Sequence, residues 1–152
     1  MNILFTLCGR AGSKGVKGKN ARDFLGVPLV WYSMANIVLY MEEYAGEDDI
    51  KIVLNTDSEP LKDLVRRVKD VPVTIIHREE SLAGDKVPKV AVILNSLKKA
   101  EDAFACKFDM VEDLDITSPL RTVQDVKNAI DRKKQRNDVD VDYSVAPSRR
   151  NP

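Results

Sequence analysis

Gly9-Arg10-Ala11-Gly12-Ser13-Lys14-Gly15-Val16-Lys17-Gly18-Lys19-Asn20 follows directly on the apolar run at residues 3–7, and this junction decides the fold. A short apolar run stopped by glycine reads as a buried strand. Comparable runs recur at 50–54 and 73–76, with weaker ones at 110–116 and 143–146. Between them lie segments of helical period: Val30, Met34, Ile37, Val38 and Met41; Leu61, Leu64, Val65 and Val68; Val90, Ile93, Leu94 and Leu97; and Val123, Val126 and Ile130. Asp57 or Ser58 is placed to cap the second of these helices, Pro60 lies in its first turn, and Pro28 and Pro88 open two others. Alternating strand and helix predicts an α/β fold, a three-layer α/β/α sandwich around a Rossmann-like, mostly parallel sheet. In such sheets ligands sit beyond the carboxyl ends of the strands, so chemistry is expected in the loops after Leu7, Leu54, Ile76 and Leu114.

The loop quoted above has four glycines spaced by three and no acidic residue before Asp23. Glycines let backbone amides turn toward an anion, and Arg10, Lys14, Lys17, Lys19 and Arg22 concentrate positive charge in the same stretch. Polyphosphate is the partner this composition suits; a solvated surface loop is the plainer alternative. The Walker A pattern does not fit, because the frame ending at Asn20 lacks its first glycine and its metal-binding hydroxyl. A dinucleotide GxGxxG is also absent.

The rest of the composition narrows the field. The 152 residues suit one domain with a core of its own, and 24 Lys+Arg against 24 Asp+Glu leave no net charge. No general attraction to nucleic acid or to an anionic membrane is therefore expected. Cys8 and Cys106 have neither CxxC nor metal-ligand spacing and read as two reduced thiols in a cytoplasmic chain. A single histidine, His77, excludes paired-histidine zinc sites and HxGH chemistry, and its place at the end of an apolar run reads as structural.

With these residues in view, the loop resembles the LxARxxSKxxxxKN signature of the acylneuraminate cytidylyltransferases, or CMP-sialic acid synthetases. Leu7, Arg10, Ser13, Lys14, Lys19 and Asn20 match it, and Gly9 departs from the usual alanine, a small-for-small exchange expected to leave phosphate binding intact. Thr117-Ser118-Pro119-Leu120-Arg121 is identical to the family's TSPLR motif. Arg78, Leu82, Ala83 and Asp85 resemble its RPxxLAxD segment, and Ser144-Val145 with residues 149–152 resemble its next strand and loop. The resemblance implies the nucleotide-diphospho-sugar transferase type of sandwich and transfer of CMP from CTP to a sialic-acid-type nonulosonic acid, with release of pyrophosphate. It implies that Arg10, Lys14 and Lys19 neutralise the phosphates during transfer. Leu7, Gly9, Gly12, Ser13, Asn20, Arg78, Ala83, Gly84, Thr117, Ser118 and Arg121 would complete the nucleotide site. It further implies a homodimer for full-length members. Residues 1–152 are expected to be one nucleotide-binding domain, truncated before the acceptor-sugar and dimerisation portions.

Three features stay open on sequence alone. Asp113 and Asp115 lie two residues apart at the carboxyl end of a strand, hence on one side of it, and two such oxygens suit Mg²⁺. The resemblance does not supply this, since glutamine usually stands at the place of Asp115, and a solvated acidic pair is the alternative. Thr117 and Ser118 also read as caps for a helix beginning near Thr122, and Thr56, Asp57 and Asp85 read as caps. Two other functions remain beside the transferase: a non-catalytic nucleotide-binding module, and a glycosyltransferase of similar fold using Asp113 and Asp115 as a DxD metal motif.

Overall fold

The computed structural model describes residues 1–12, 15–136 and 138–145. Strand β1 (Asn2–Cys8) leads through a short 3₁₀ turn (Lys19–Ala21) to the small hairpin of β2 (Asp23–Phe24) and β3 (Val27–Pro28). Then come α1 (Leu29–Glu43), β4 (Asp49–Thr56), α2 (Glu59–Arg66), β5 (Val73–His77) and a second 3₁₀ turn (Glu80–Leu82). Helix α3 (Lys89–Phe104), β6 (Met110–Asp113) and α4 (Val123–Gln135) complete the described order. The main sheet runs β5-β4-β1-β6, every pairing parallel, with Leu7 opposite Leu54, Thr6 opposite Asp113 and Thr56 opposite His77.

Alternation along β1 divides the core in two, because successive side chains point to opposite faces. Ile3, Phe5 and Leu7 pack with Ile52 and Leu54 against Val30, Met34 and Ile37 of α1, Leu61 and Val65 of α2, and Val126 and Ile130 of α4. Leu4 and Val53 face the other way, onto Ala100 of α3 and its neighbours Leu97 and Phe104. Helices therefore cover both faces of a parallel sheet, the three-layer α/β sandwich expected.

Helix starts follow local chemistry. Ser58 caps α2, its hydroxyl accepting the Leu61 N–H at 3.4 Å, with Pro60 in the first turn. Pro28 and Pro88 stand at the caps of α1 and α3. Helix α4 begins with a reciprocal capping box: the Asp125 N–H donates to the Thr122 hydroxyl at 3.2 Å, and the Thr122 N–H donates to the Asp125 carboxylate at 2.8 Å.

Three expectations are corrected. The expected α3 stripe of Val90, Ile93, Leu94 and Leu97 is only partly right: Leu97 packs on the core, but Val90 is 73% exposed and Leu94 48%, while Val92, Ser96 and Ala100 form the buried face. Small side chains let this helix lie close on the sheet, and Ser96 satisfies its hydroxyl by donating to the Val92 carbonyl at 2.9 Å, so the packed face looks weakly apolar in sequence. The run 110–116 is strand only through Asp113; Leu114 and Ile116 are buried core residues of the loop that follows. Residues 143–145 form no strand, and Ala146 lies outside the described residues. Among the described residues no helix is long and apolar enough to cross a membrane.

Candidate functional site

A cavity of about 520 Å³ opens at the carboxyl ends of β1 and β6, where a parallel sheet presents its loops. Its cationic wall comes from the loop after β1, with Arg10, Lys19 and Asn20. Its opposite side carries Asp115 and Thr117 from the loop after β6, together with Lys89 from the first turn of α3. Arg78, Leu82, Gly84 and Asp85, from the segment between β5 and α3, close the remaining side, and Cys8 lies at the base.

The cationic loop is held by partners far away in sequence. The Ala11 N–H donates to Asp57 at 2.8 Å, and the Asn20 side-chain amide donates to the Arg10 carbonyl at 3.0 Å. The Arg10 guanidinium is ion-paired with Asp85. Gly18, at φ +63, takes the left-handed conformation that starts the 3₁₀ turn carrying Lys19 and Asn20 into the cavity, a position a side chain rarely adopts. Asp57 and Asp85 are thus not caps but the supports of this loop. The Thr56 hydroxyl accepts the Ser58 N–H at 2.9 Å, and its carbonyl accepts the Arg78 N–H at 3.1 Å.

Arg78 is buried, its Nε donating to the Asn55 side chain at 3.0 Å and a terminal nitrogen to the Asn55 carbonyl at 2.9 Å. Burial lowers its pKa from the ordinary arginine value, and the negative charge of Asp57 works against that. Two fixed contacts leave the guanidinium rigid at the cavity wall, the state in which a donor loses least entropy on meeting a ligand.

On the acidic side, Asp113 accepts the Thr6 hydroxyl at 2.8 Å, and its other oxygen lies 2.5 Å from the Lys89 ammonium. Asp115 accepts the Thr117 N–H at 3.0 Å and the Thr117 hydroxyl at 2.9 Å, with its second oxygen 3.6 Å from Lys89. Burial pushes the Asp115 pKa up, but the Thr117 hydrogen bonds and the charges of Lys89 and Lys19 outweigh it, so the carboxyl ionises more readily than usual. Burial likewise pulls the Lys89 pKa down, and Asp113 and Asp115 reverse it to a net rise. Burial drives the Cys8 thiol up to about 12, which keeps it protonated and removes it as a nucleophile.

Of the residues singled out from sequence, Arg10, Lys19, Asn20, Arg78, Gly84, Asp115 and Thr117 line the cavity. Ser13 and Lys14 lie outside the described residues. Leu7 is fully buried beneath the loop and supports it from the core. The Gly9 N–H donates to the Asn55 carbonyl at 3.2 Å, so that amide is already used. Gly12 and Ala83 stand outside the cavity wall, and Asp113 reaches it only through Lys89. Ser118 is exposed and its N–H closes a turn onto the Asp115 carbonyl at 3.2 Å, while Thr117 bonds to Asp115; neither caps α4, because Thr122 does. Arg121 does not line the cavity: its carbonyl accepts the Asn36 side-chain amide at 3.0 Å, and one buried guanidinium nitrogen has no hydrogen-bond partner among the described residues. Lys89 was missed, though a lysine in a first helical turn that lacks acidic residues was a signal, since the helix dipole disfavours a cation there.

The donor set suits a divalent cation in part. No cluster of three or more His, Cys, Asp or Glu occurs among the described residues. Asp115 and Asp113 offer two carboxylates that converge on one ammonium, a resident cation standing between them. Mg²⁺ needs few protein ligands when phosphate oxygens and water complete its shell, so the pair fits an ion delivered with a polyphosphate.

Comparison with known proteins bears on the identity of this site. Residues 7–151 match the family described as Cytidylyltransferase. Post-translational flagellin modification protein B of Campylobacter coli is 35% identical over 153 residues, a match covering 99% of this chain and 60% of that protein. CMP-N,N'-diacetyllegionaminic acid synthase of Campylobacter jejuni is 32% identical over 120 residues, covering 77% of this chain and 46% of its own length. The chain thus spans only part of the relatives it matches. In fold it is similar to the CMP:2-keto-3-deoxy-manno-octonic acid synthetase complexed with CTP, with a TM-score of 0.66 at 16% identity, over 89% of this chain and 48% of that one.

Proposed function

Since the chain belongs to the cytidylyltransferase family, we propose that it binds CTP in the cavity between the β1 and β6 loops and supports transfer of CMP to a nonulosonic acid. The observation that carries this reading is the meeting of Arg10, Lys19 and Arg78 with Asp115 around one cavity at the carboxyl edge of the sheet. The relative named as CMP-N,N'-diacetyllegionaminic acid synthase supports an acceptor of the nonulosonic class.

In the reaction an acceptor hydroxyl gives up its proton to solvent as its oxygen forms a bond to the α-phosphorus of CTP, the bond from that phosphorus to the bridging oxygen breaks, and pyrophosphate leaves in line. Such a transfer requires alignment and charge neutralisation more than covalent help. Lys19 and Arg10 neutralise phosphate oxygens. Arg10 starts out paired with Asp85, so nucleotide entry exchanges one anion for another rather than desolvating a bare cation. Arg78, fixed by Asn55, supplies a rigid donor for the nucleotide. Mg²⁺, held by Asp115 with Asp113 beside it, would draw charge from the leaving pyrophosphate.

Titration of CTP, UTP, ATP and GTP in the presence of Mg²⁺ tests the proposal. CTP should bind tightest, and added nonulosonic acid should release pyrophosphate where the acceptor pocket is complete. Equal affinity for all four nucleotides, or none for CTP, would overturn it.

A further inference from the structure

We propose that Lys89 is a positioning residue: its ammonium is the resident counter-ion of the Asp113 and Asp115 carboxylates and competes for them with an incoming divalent cation. The inference rests on the function proposed above, but its primary observations concern this chain alone. Lys89 Nζ lies 2.5 Å from one oxygen of Asp113 and 3.6 Å from one of Asp115, and the side chain remains 44% exposed toward the cavity it lines.

Helix stability does not explain the placement. Lys89 is the first residue of α3, where unsatisfied N–H groups and the helix dipole disfavour positive charge, and neither an acidic first-turn residue nor a side-chain cap offsets it. Its partners come instead from β6 and the loop beyond, 24 and 26 positions along the chain. The carboxylates are themselves oriented without it, Asp113 by Thr6 and Asp115 by Thr117. What Lys89 adds is charge, and that charge sits where a divalent cation would be bound.

A divalent cation arriving alone must displace the ammonium or share the carboxylates with it against repulsion. Arriving with a triphosphate, it brings anions toward which the displaced ammonium can turn. Lys89 thereby couples cation entry to nucleotide entry, and by linkage the nucleotide raises cation affinity as much as the cation raises nucleotide affinity.

The test is Mn²⁺ binding to nucleotide-free protein, read from the electron paramagnetic resonance of free Mn²⁺, for wild type, Lys89→Met and Lys89→Arg. Lys89→Met should bind Mn²⁺ about tenfold more tightly than wild type, because an elementary charge a few ångströms from the ion is removed. Lys89→Arg keeps the charge and should stay close to wild type. Lys89→Gln gives the same reading if the methionine variant aggregates. Unchanged Mn²⁺ affinity in Lys89→Met and Lys89→Gln, or an equal gain in Lys89→Arg, overturns the proposal. Repeating the titration with saturating CTP should raise Mn²⁺ affinity more in wild type than in Lys89→Met, and an equal rise in both overturns the coupling. Failure of CTP to bind at all would sink the nucleotide reading while leaving the nucleotide-free comparison to decide the role of Lys89.

Discussion

β1 and β6 run side by side in parallel register, and the loops they release meet at one cavity, the first carrying Arg10 and Lys19 and the second Asp115. They are stabilised differently. The first loop is tied to remote elements: Gly9 to Asn55 of β4, Ala11 to Asp57 ahead of α2, and Arg10 to Asp85 ahead of α3. The second turns Thr117 and Ser118 back onto Asp115 and takes fewer remote ties, the Leu114 N–H on the Thr6 carbonyl at 3.0 Å and the Ser33 hydroxyl on the Asp115 carbonyl at 3.4 Å. A cationic loop of glycines has little local structure to resist its own repulsion, so tertiary partners must fix it. The acidic loop sets the Asp115 carboxylate with its own Thr117, rests on the buried side chains of Leu114 and Ile116, and draws its balancing charge from Lys89.

The largest expected effect separates the two loops by ligand affinity. Arg10→Ala and Lys19→Ala should each weaken CTP binding by about 2 kcal/mol, roughly thirtyfold in Kd, the value of a charge-assisted hydrogen bond. Asp115→Asn, measured by calorimetry with a chelator present, should leave CTP affinity unchanged or slightly higher, because it removes an anion facing the phosphates. Equal losses from both loops would break the contrast.

A second effect belongs to the acidic side and concerns stability. Burial raises the Glu112 carboxyl on β6 to about 7, with Asp113 and Asp142 adding to the rise and Arg121 opposing it. The unfolded chain ionises this group at its ordinary value of 4.5, so between there and about 7 the native state holds the extra proton. Its contribution is greatest at low pH and declines as pH rises through that window, after which it is level. Glu112→Gln should therefore stabilise the protein at pH 8 by about 1.5 kcal/mol, allowing for the partial exposure of the group. Urea unfolding at pH 8 and at pH 5 checks this. A gain that does not shrink at pH 5 would show that charge is not the cause.

How much of this was legible follows the same division. The order of the main-sheet strands and the helices between them, the prolines at helix starts and the cation-rich composition of residues 9–20 were readable because each is set by neighbours in sequence. The supports were not. Asp57 and Asp85 satisfy the local rule for helix caps, and nothing nearby reveals that their partners lie 46 and 75 residues away. Thr122, with Asp125 three positions on, carries a readable capping box, and Thr117 and Ser118, just upstream, satisfy the same local rule without capping. The buried face of α3 escaped because Ser96 and Ala100 are small, and hydrophobic periodicity weighs size rather than closeness of approach.

The smallest effect lies where the two loops touch. Sequence comparison treats Gly9 in place of alanine as a neutral exchange, but a Cβ there would sit 2.6 Å from Leu61 Cδ2, 3.0 Å from Ile116 Cδ1 and 3.3 Å from Asn20 Cβ. Leu61 and Ile116 are fully buried, so neither can swing into solvent, although the tip of Leu61 can change rotamer. Gly9→Ala should thus destabilise by about 1 kcal/mol, the low end for overpacking, and lower Tm by a few degrees. Pressure on Asn20, which holds the Arg10 carbonyl, should reach the cationic loop as a loss of CTP affinity of only a few-fold. Leu61→Val in the same chain makes room for the new methyl, so the double variant should be more stable than the sum of the two single changes predicts. Strict additivity would mean that the Leu61 side chain is not what excludes alanine at Gly9.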